Sequence, residues 1–286
     1  MSRLLILGGD GMLGHELLRS LTPRHETRVT LRWSLESYSD CGLFHADNAF
    51  DGVTIDSLDR LGKLLGDFRP DVIVNAIGVV KQREAAKDPI KSLEVNSLFP
   101  HKLARLARLA GARLIHFSTD CVFSGRRGRY AESDSPDAED LYGRSKLLGE
   151  VTGEGCLTLR TSIIGRELRS RLSLVEWFLA QRGRVRGYSG AIYTGFTTLE
   201  MARILDRVVT SYPAASGLWH VASEPISKYA LLLLLKRYYG LTTEVERDEA
   251  FACDRSLDSS RFRAEFRYTP PGWDQMIAEL AQERPA

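Results

Sequence analysis

Tyr142-Gly143-Arg144-Ser145-Lys146 sets a phenol and an ammonium four residues apart, which puts both on one face of a helix. A tyrosine titrates near pH ~10, and a neighbouring cation lowers that value by favouring the phenolate. A phenol tuned in this way can hand a proton to a carbonyl oxygen. The same spacing also fits a plain cation–aromatic pair on a surface, so its weight depends on what surrounds it. Upstream, Ser118-Thr119-Asp120 closes the apolar run Leu114 to Phe117. The carboxyl end of a buried parallel strand is where an open sheet exposes ligand-facing groups, and a hydroxyl there can stabilise charge growing on a substrate oxygen. From spacing alone, a turn that merely caps the strand fits equally well.

A third feature gives these groups a partner. Gly8, Gly11 and Gly14 form Gly-x-x-Gly-x-x-Gly between an apolar run and a helical pattern. Glycines are needed where the backbone must approach a pyrophosphate, and the following helix N-terminus supplies free N–H groups and the positive end of a dipole. With a dinucleotide on that turn, hydride from its nicotinamide and a proton from Tyr142 would reduce a carbonyl. Lys146 could reach the nicotinamide ribose. The second strand candidate ends in Arg32, with no acid before Glu36. An acidic residue there would hold a ribose 2′-hydroxyl, whereas arginine suits a 2′-phosphate, so NADP(H) is preferred and NAD(H) stays open.

The elements that must position these groups alternate. Leu4 to Leu7 reads as a strand buried on both faces, and Met12 to Ser20 as a helix with Leu13, Leu17 and Leu18 on one side. Strand candidates follow at Arg28 to Leu31, Val72 to Asn75, Leu114 to Ser118 and Leu157 to Arg160. Helices are expected from a Ser57 cap through Leu65, over Ile90 to Leu109 with a kink or break at Pro100, and over Asp140 to Val151. That rhythm predicts an α/β fold with a doubly wound parallel sheet. After Arg160 the helices Leu172 to Gln181, Thr198 to Val209, Lys228 to Tyr239 and Gln275 to Ala281 are separated by irregular segments. We read 1–160 as a dinucleotide-binding domain, completed by part of 190–212, and 161–286 mainly as a smaller substrate-binding lobe.

Composition agrees with an ordinary globular enzyme: 43% hydrophobic, 27% charged, and net charge +2 from 39 basic and 37 acidic residues. No nucleic-acid or membrane partner is called for. Cys41, Cys121, Cys156 and Cys253 show no metal-ligand spacing and read as reduced, mostly buried thiols. A strand-like run starting at Arg3 and apolar stretches far below membrane-span length lead to the expectation of a soluble cytoplasmic protein without a secretory leader.

Taken together, Ile6-Leu7-Gly8-Gly9-Asp10-Gly11-Met12-Leu13-Gly14, Pro70-Asp71-Val72-Ile73-Val74-Asn75-Ala76, Val95-Asn96, Ser118 to Gly125 and Leu141 to Leu147 resemble the extended short-chain dehydrogenase/reductases. More narrowly they resemble the dTDP-4-dehydrorhamnose reductase group. The resemblance implies a Rossmann-type fold with Thr119, Tyr142 and Lys146 on catalytic positions. It also implies Gly8, Gly11, Met12, Leu13 and Gly14 on the phosphate turn, and Asp56 at the adenine. Asn75, Ala76 and Ile77 would line the cofactor cleft, with Ser162 and Ile163 near the nicotinamide. The implied reaction is NADPH-dependent reduction of a nucleotide-activated 4-keto-6-deoxyhexose in deoxysugar or polysaccharide biosynthesis. Related reductases are often dimers, which leaves a homodimer open. Leu7 and Cys121 depart from the threonine and tyrosine usual in the group.

Two other functions use the same features: an epimerase or dehydratase, and a dinucleotide-binding regulatory subunit resembling the β subunit of methionine adenosyltransferase. The dehydratases resemble Thr-Asp-Glu at this strand end, and Cys121 stands at the position of that glutamate. Arg166, Arg169, Arg171, Arg182, Arg184 and Arg186 suit either a diphosphate clamp or a solvated basic face.

Overall fold

The computed structural model describes residues 1–80, 87–169 and 171–283. Ser170, inside the arginine-rich stretch, and the last three residues of the second half lie outside that set. In chain order the first half runs β1 (Arg3–Leu7), α1 (Met12–Leu21), β2 (Glu26–Thr30), β3 (Ala49–Phe50), α2 (Leu58–Phe68) and β4 (Val72–Asn75). It continues with α3 (Pro89–Ser92), α4 (Phe99–Leu109), β5 (Arg113–Thr119), α5 (Leu141–Leu148) and β6 (Cys156–Thr161).

These strands, with β10 (Gly217–His220), make one seven-stranded sheet in the order β10-β6-β5-β4-β1-β2-β3. Every pairing in it is parallel. Side chains of β1 alternate between two cores. Leu4 and Ile6 join Leu13, Leu17 and Leu205 on one face, while Leu5 and Leu7 join Leu61, Leu103 and Leu114 on the other. A strand buried on both faces has no polar side, which is why its sequence is a continuous apolar run. The doubly wound sheet is as the strand–helix rhythm predicts. Strand order reverses between β1 and β4, opening a crevice at their carboxyl ends.

The second half contains β7 (Ile163–Ile164), α6 (Leu174–Leu179), β8 (Arg184–Tyr193), β9 (Phe196–Thr197), α7 (Thr198–Ser211) and then β10. After it come β11 (Ile226–Ser227), α8 (Lys228–Tyr238), β12 (Glu244–Asp254), α9 (Ser260–Glu265) and α10 (Trp273–Gln282). Strand β8 pairs parallel with β12 and antiparallel with β11, forming a small separate sheet where the sequence suggests irregular structure. The cause is legible afterwards: Glu244–Asp254 is largely exposed and carries charges without apolar alternation.

Two further expectations are corrected. Ser57 stands at the start of α2, but its hydroxyl bonds to Thr54 rather than to a helix amide. The predicted kink at Pro100 is instead a wide turn over Leu93–Leu98, with i→i+5 bonding, joining α3 to α4. Proline has no N–H to return to the Asn96 carbonyl, and the backbone absorbs this by widening one turn earlier.

Candidate active site

The crevice begins at the glycine turn. Gly8 has φ +86, a left-handed conformation, and its N–H lies 3.3 Å from Thr30 Oγ1. Gly14 is fixed by space, since a Cβ there would lie 2.0 Å from the Gly8 carbonyl oxygen. Helix α1 therefore packs against the turn with backbone alone, and Gly11 at its start offers no side-chain cap to the first amides. The N–H groups of Met12 and Leu13 stay available for an anion, which is the fit a pyrophosphate requires.

Beside the turn, the Ala76 N–H donates to Leu7 O at 3.1 Å, and Ile77 sits against Gly8. Asn75 is buried, its Nδ2 3.1 Å from His116 Nδ1 and its Oδ1 accepting from the Ile77 N–H at 3.1 Å. Arg32 is exposed just past β2, without a polar partner among the described residues. Asp56 is also exposed, in the turn ahead of α2, and no described contact ties it to the glycine turn.

Strand β5 and helix α5 deliver the second half of the site. Asp140 caps α5 by accepting from the Gly143 N–H at 2.8 Å. A Cβ on Gly143 would lie 2.2 Å from the Cys121 carbonyl oxygen, so the helix start is seated directly on the turn after β5. This brings Tyr142 within hydrogen-bonding reach of the Thr119 hydroxyl, with Asp120 and Cys121 close by. Of the three polar residues at the strand end, Ser118 is committed elsewhere. It donates to Glu150 at 2.6 Å, within a buried pair in which Arg160 grips Glu150 through two bonds of 2.8 Å. Thr119 accepts from the Cys121 N–H and donates to Asp120, both at 3.1 Å.

The electrostatics differ from the sequence expectation. Burial first, and then nearby Cys121 and Asp120, push the Tyr142 phenol well above its ordinary range, although the Thr119 hydroxyl acts the other way. Lys146 is not among the main causes. Its buried ammonium donates to the Phe117 carbonyl at 2.6 Å, and burial brings its pKa down to about 8. The phenol is therefore neutral near pH 7, which suits a proton donor. Buried Asp120 is raised by desolvation.

A link absent from the spacing arguments holds the two halves together. Asn96, in the wide turn before α4, is buried; its Oδ1 accepts from the Val79 N–H at 2.9 Å. Its Nδ2 donates to Val79 O and to Ser145 Oγ, each at 3.1 Å. Ser97 Oγ donates to Ser145 O at 2.8 Å. The strand-end cleft and the helix carrying Tyr142 thus share one side chain, which Val95-Asn96 signals only through the family resemblance.

Ser162 lies within hydrogen-bonding reach of Asp120, and Ile163 begins β7 beside the main core. The arginine-rich stretch does not converge on one clamp. Arg166 meets Glu176 at 2.5 Å, Arg169 meets Asp40 at 2.8 Å, and Arg184 and Arg186 face Glu244 and Asp248. Arg182 donates to backbone carbonyls, and Arg171 is exposed. Arg169 also lies over the ring of Tyr38, whose hydroxyl donates to Asp10 in the glycine turn at 2.9 Å. Of the four thiols only Cys156 is buried, the other three being partly exposed.

A glycine turn at the carboxyl end of a parallel sheet, with a threonine, a tyrosine and a lysine near the same strand ends, narrows the choice of family, and comparison with known proteins decides it. The model described as RmlD substrate binding domain matches residues 2–284. The chain belongs to the RmlD substrate binding domain family. Among RmlD-family relatives, the spore coat polysaccharide biosynthesis protein SpsK of Bacillus subtilis is 25% identical, over 99% of this chain and 98% of its own. A dTDP-4-dehydrorhamnose reductase of Aggregatibacter actinomycetemcomitans is 26% identical over 79% of this chain and 74% of its own. The crystal structure of dTDP-4-dehydrorhamnose reductase from Bacillus anthracis in complex with NADP superposes with a TM-score of 0.80. It covers 98% of both chains at 20% identity, and so supports the fold.

Proposed function

We propose that this protein reduces the 4-keto group of a nucleotide-activated 4-keto-6-deoxyhexose with NADPH. The observation that carries the reading is the meeting of Tyr142 and Thr119, with Lys146 behind them, at the carboxyl end of a sheet whose glycine turn leaves helix amides free for a pyrophosphate. The names of the relatives support the same chemistry.

Reduced nicotinamide, when bound, supplies the hydride. Tyr142, its phenol neutral, gives a proton to the carbonyl oxygen of the sugar. Thr119, whose hydroxyl proton rests on Asp120 without substrate, turns it to that oxygen as charge develops on it. Lys146, its ammonium held on the Phe117 carbonyl, would supply positive charge to the site and a donor for the nicotinamide ribose. Gly8, Gly11, Met12, Leu13 and Gly14 would hold the pyrophosphate of a bound dinucleotide, and Arg32 would suit a 2′-phosphate, which favours NADP(H) over NAD(H). Asp56 would serve the adenine, Asn75, Ala76 and Ile77 would line the cofactor cleft, and Ser162 and Ile163 would lie near the nicotinamide. Residues 161–286 mainly hold the sugar nucleotide, against a dinucleotide-binding domain at 1–160 that takes in part of the later chain. The free thiols Cys41, Cys121, Cys156 and Cys253 match work in the reducing cytoplasm.

A dehydratase is a poorer reading. Burial, and then Asp120, push the Cys121 thiol up to about 12, so it stays neutral and cannot take a carboxylate's part in elimination. The test is NADPH consumption by purified protein across a panel of dTDP-, UDP- and GDP-linked 4-keto-6-deoxyhexoses. Turnover of one or more supports the proposal, and none across the panel refutes it.

A further inference from the structure

A second phenol lies close to the strand ends that carry the site. Tyr193, the last residue of β8, has a hydroxyl buried from solvent with no partner at hydrogen-bonding geometry, although the Ser162 side chain is close. It lies beside Ser162, one residue past Thr161, which pairs with Thr119 at the end of β5, and the charges of Asp120 and Cys121 act on it as they do on Tyr142. Burial is the main cause that holds this phenol neutral, far above its ordinary value.

The ring is held firmly. It packs on Trp273 with centroids 5.5 Å apart, and β8 is paired to β11 at this residue. Gly195 provides the space: a Cβ there would lie 2.2 Å from the Tyr193 hydroxyl and equally close to the Ser162 carbonyl. That carbonyl accepts from the Phe196 N–H at 2.9 Å and is already used. A desolvated O–H without an acceptor costs stability, whereas phenylalanine would fill the same space without that cost. A hydroxyl kept there at a cost points to an acceptor that arrives with the substrate.

We infer that Tyr193 is a specificity-determining residue whose hydroxyl bonds a sugar hydroxyl next to the reacting ketone, across the pocket from Tyr142. The inference rests on the proposed reading of the site as a keto-sugar reductase. An α-hydroxy ketone offers two oxygens a short bond path apart. Tyr142 and Thr119 take the ketone oxygen, and Tyr193 takes the neighbouring hydroxyl. Two anchored oxygens fix which face of the carbonyl is presented. The expected discrimination is thus against sugars lacking that hydroxyl or carrying it in the opposite configuration.

Tyr193→Phe removes only the hydroxyl. We expect its thermal midpoint to equal or exceed the parent's and its NADPH affinity to be unchanged. Its kcat/KM for the keto sugar should fall about tenfold or more, the scale of one buried hydrogen bond. With a substrate lacking the adjacent hydroxyl, parent and variant should turn over equally slowly. In parallel, a dTDP-linked 6-deoxyhexose titrated calorimetrically into the NADP-loaded protein reads the contact without turnover, and the variant should bind it about tenfold more weakly. A parent that binds this sugar but reduces none, with the variant binding more weakly, sinks the reductase reading and keeps the contact. A parent that reduces its sugar while Tyr193→Phe matches it within twofold sinks the contact and keeps the reductase reading. A drop in the variant's thermal midpoint or NADPH affinity, or a parent that binds no nucleotide-linked hexose, also overturns the inference.

Discussion

Replacing Asn96 by alanine should loosen the chemistry without touching any group that does it. The side chain makes three hydrogen bonds, two to the Val79 backbone and one to Ser145, from a position that is 1% exposed. Ser145 retains a partner, since its hydroxyl also donates to Tyr142 O at 2.9 Å. The Val79 N–H and C=O lose theirs in a buried setting, at about 1–3 kcal/mol each, so the loss sums to about 2–6 kcal/mol. For a chain of this size that is a fall in Tm of roughly 3–10 °C. Urea unfolding should give the same loss with an unchanged slope, because the surface exposed on unfolding is the same. The freed α5 also lets Tyr142 drift relative to Thr119. Small displacements of that kind cost about tenfold to a hundredfold in rate, so kcat for NADPH oxidation should fall while NADPH affinity holds. Asn96→Ala protein with parental stability would refute the bonding argument. Reduced stability with parental kcat would refute the claim that Asn96 positions the catalytic helix.

Two further outcomes follow from the same geometry. Gly14→Ala forces a Cβ to within 2.0 Å of the Gly8 carbonyl, so α1 must move off its turn. NADPH binding by fluorescence titration should weaken at least about tenfold, and an unchanged Kd would contradict the cradle. On the alkaline side, Lys146 loses its proton as the pH rises through about 8, whereas Tyr142 stays protonated well beyond that. Accordingly kcat/KM should fall above pH about 8 in the parent, and Lys146→Arg, if active, should lose that limb; a parent profile flat to pH ~10 would remove Lys146 charge from the account.

The glycine turn, the strand end at Thr119 and the Tyr142–Lys146 pair were legible in the sequence because each is a local pattern with a physical cause. Continuous apolar runs such as Leu4 to Leu7 gave away strands buried on both faces, and with them the parallel sheet. What stayed hidden depends on contacts distant along the chain. The direction of the Tyr142 shift could not be read from spacing, because it is set first by burial and then by Cys121. Strand β12 has no amphipathic signature, since its partner β8 gives it backbone bonds while most of its side chains face water. The arginines from Arg166 to Arg186 looked like one basic set, and only the fold distributes them among Glu176, Asp40, Glu244 and Asp248. Tyr193 belongs to no motif, and its place beside Ser162 is set by Gly195, which follows it two residues later.

The claim on which the rest stands is that the Tyr142 phenol is the proton donor to a ketone. Its cleanest test is single-turnover reduction of the keto sugar by Tyr142→Phe protein loaded with NADPH. The account predicts unchanged nucleotide binding and a chemical step slowed at least about a hundredfold, the usual scale for loss of a positioned acid. Reduction at the parental rate would contradict it.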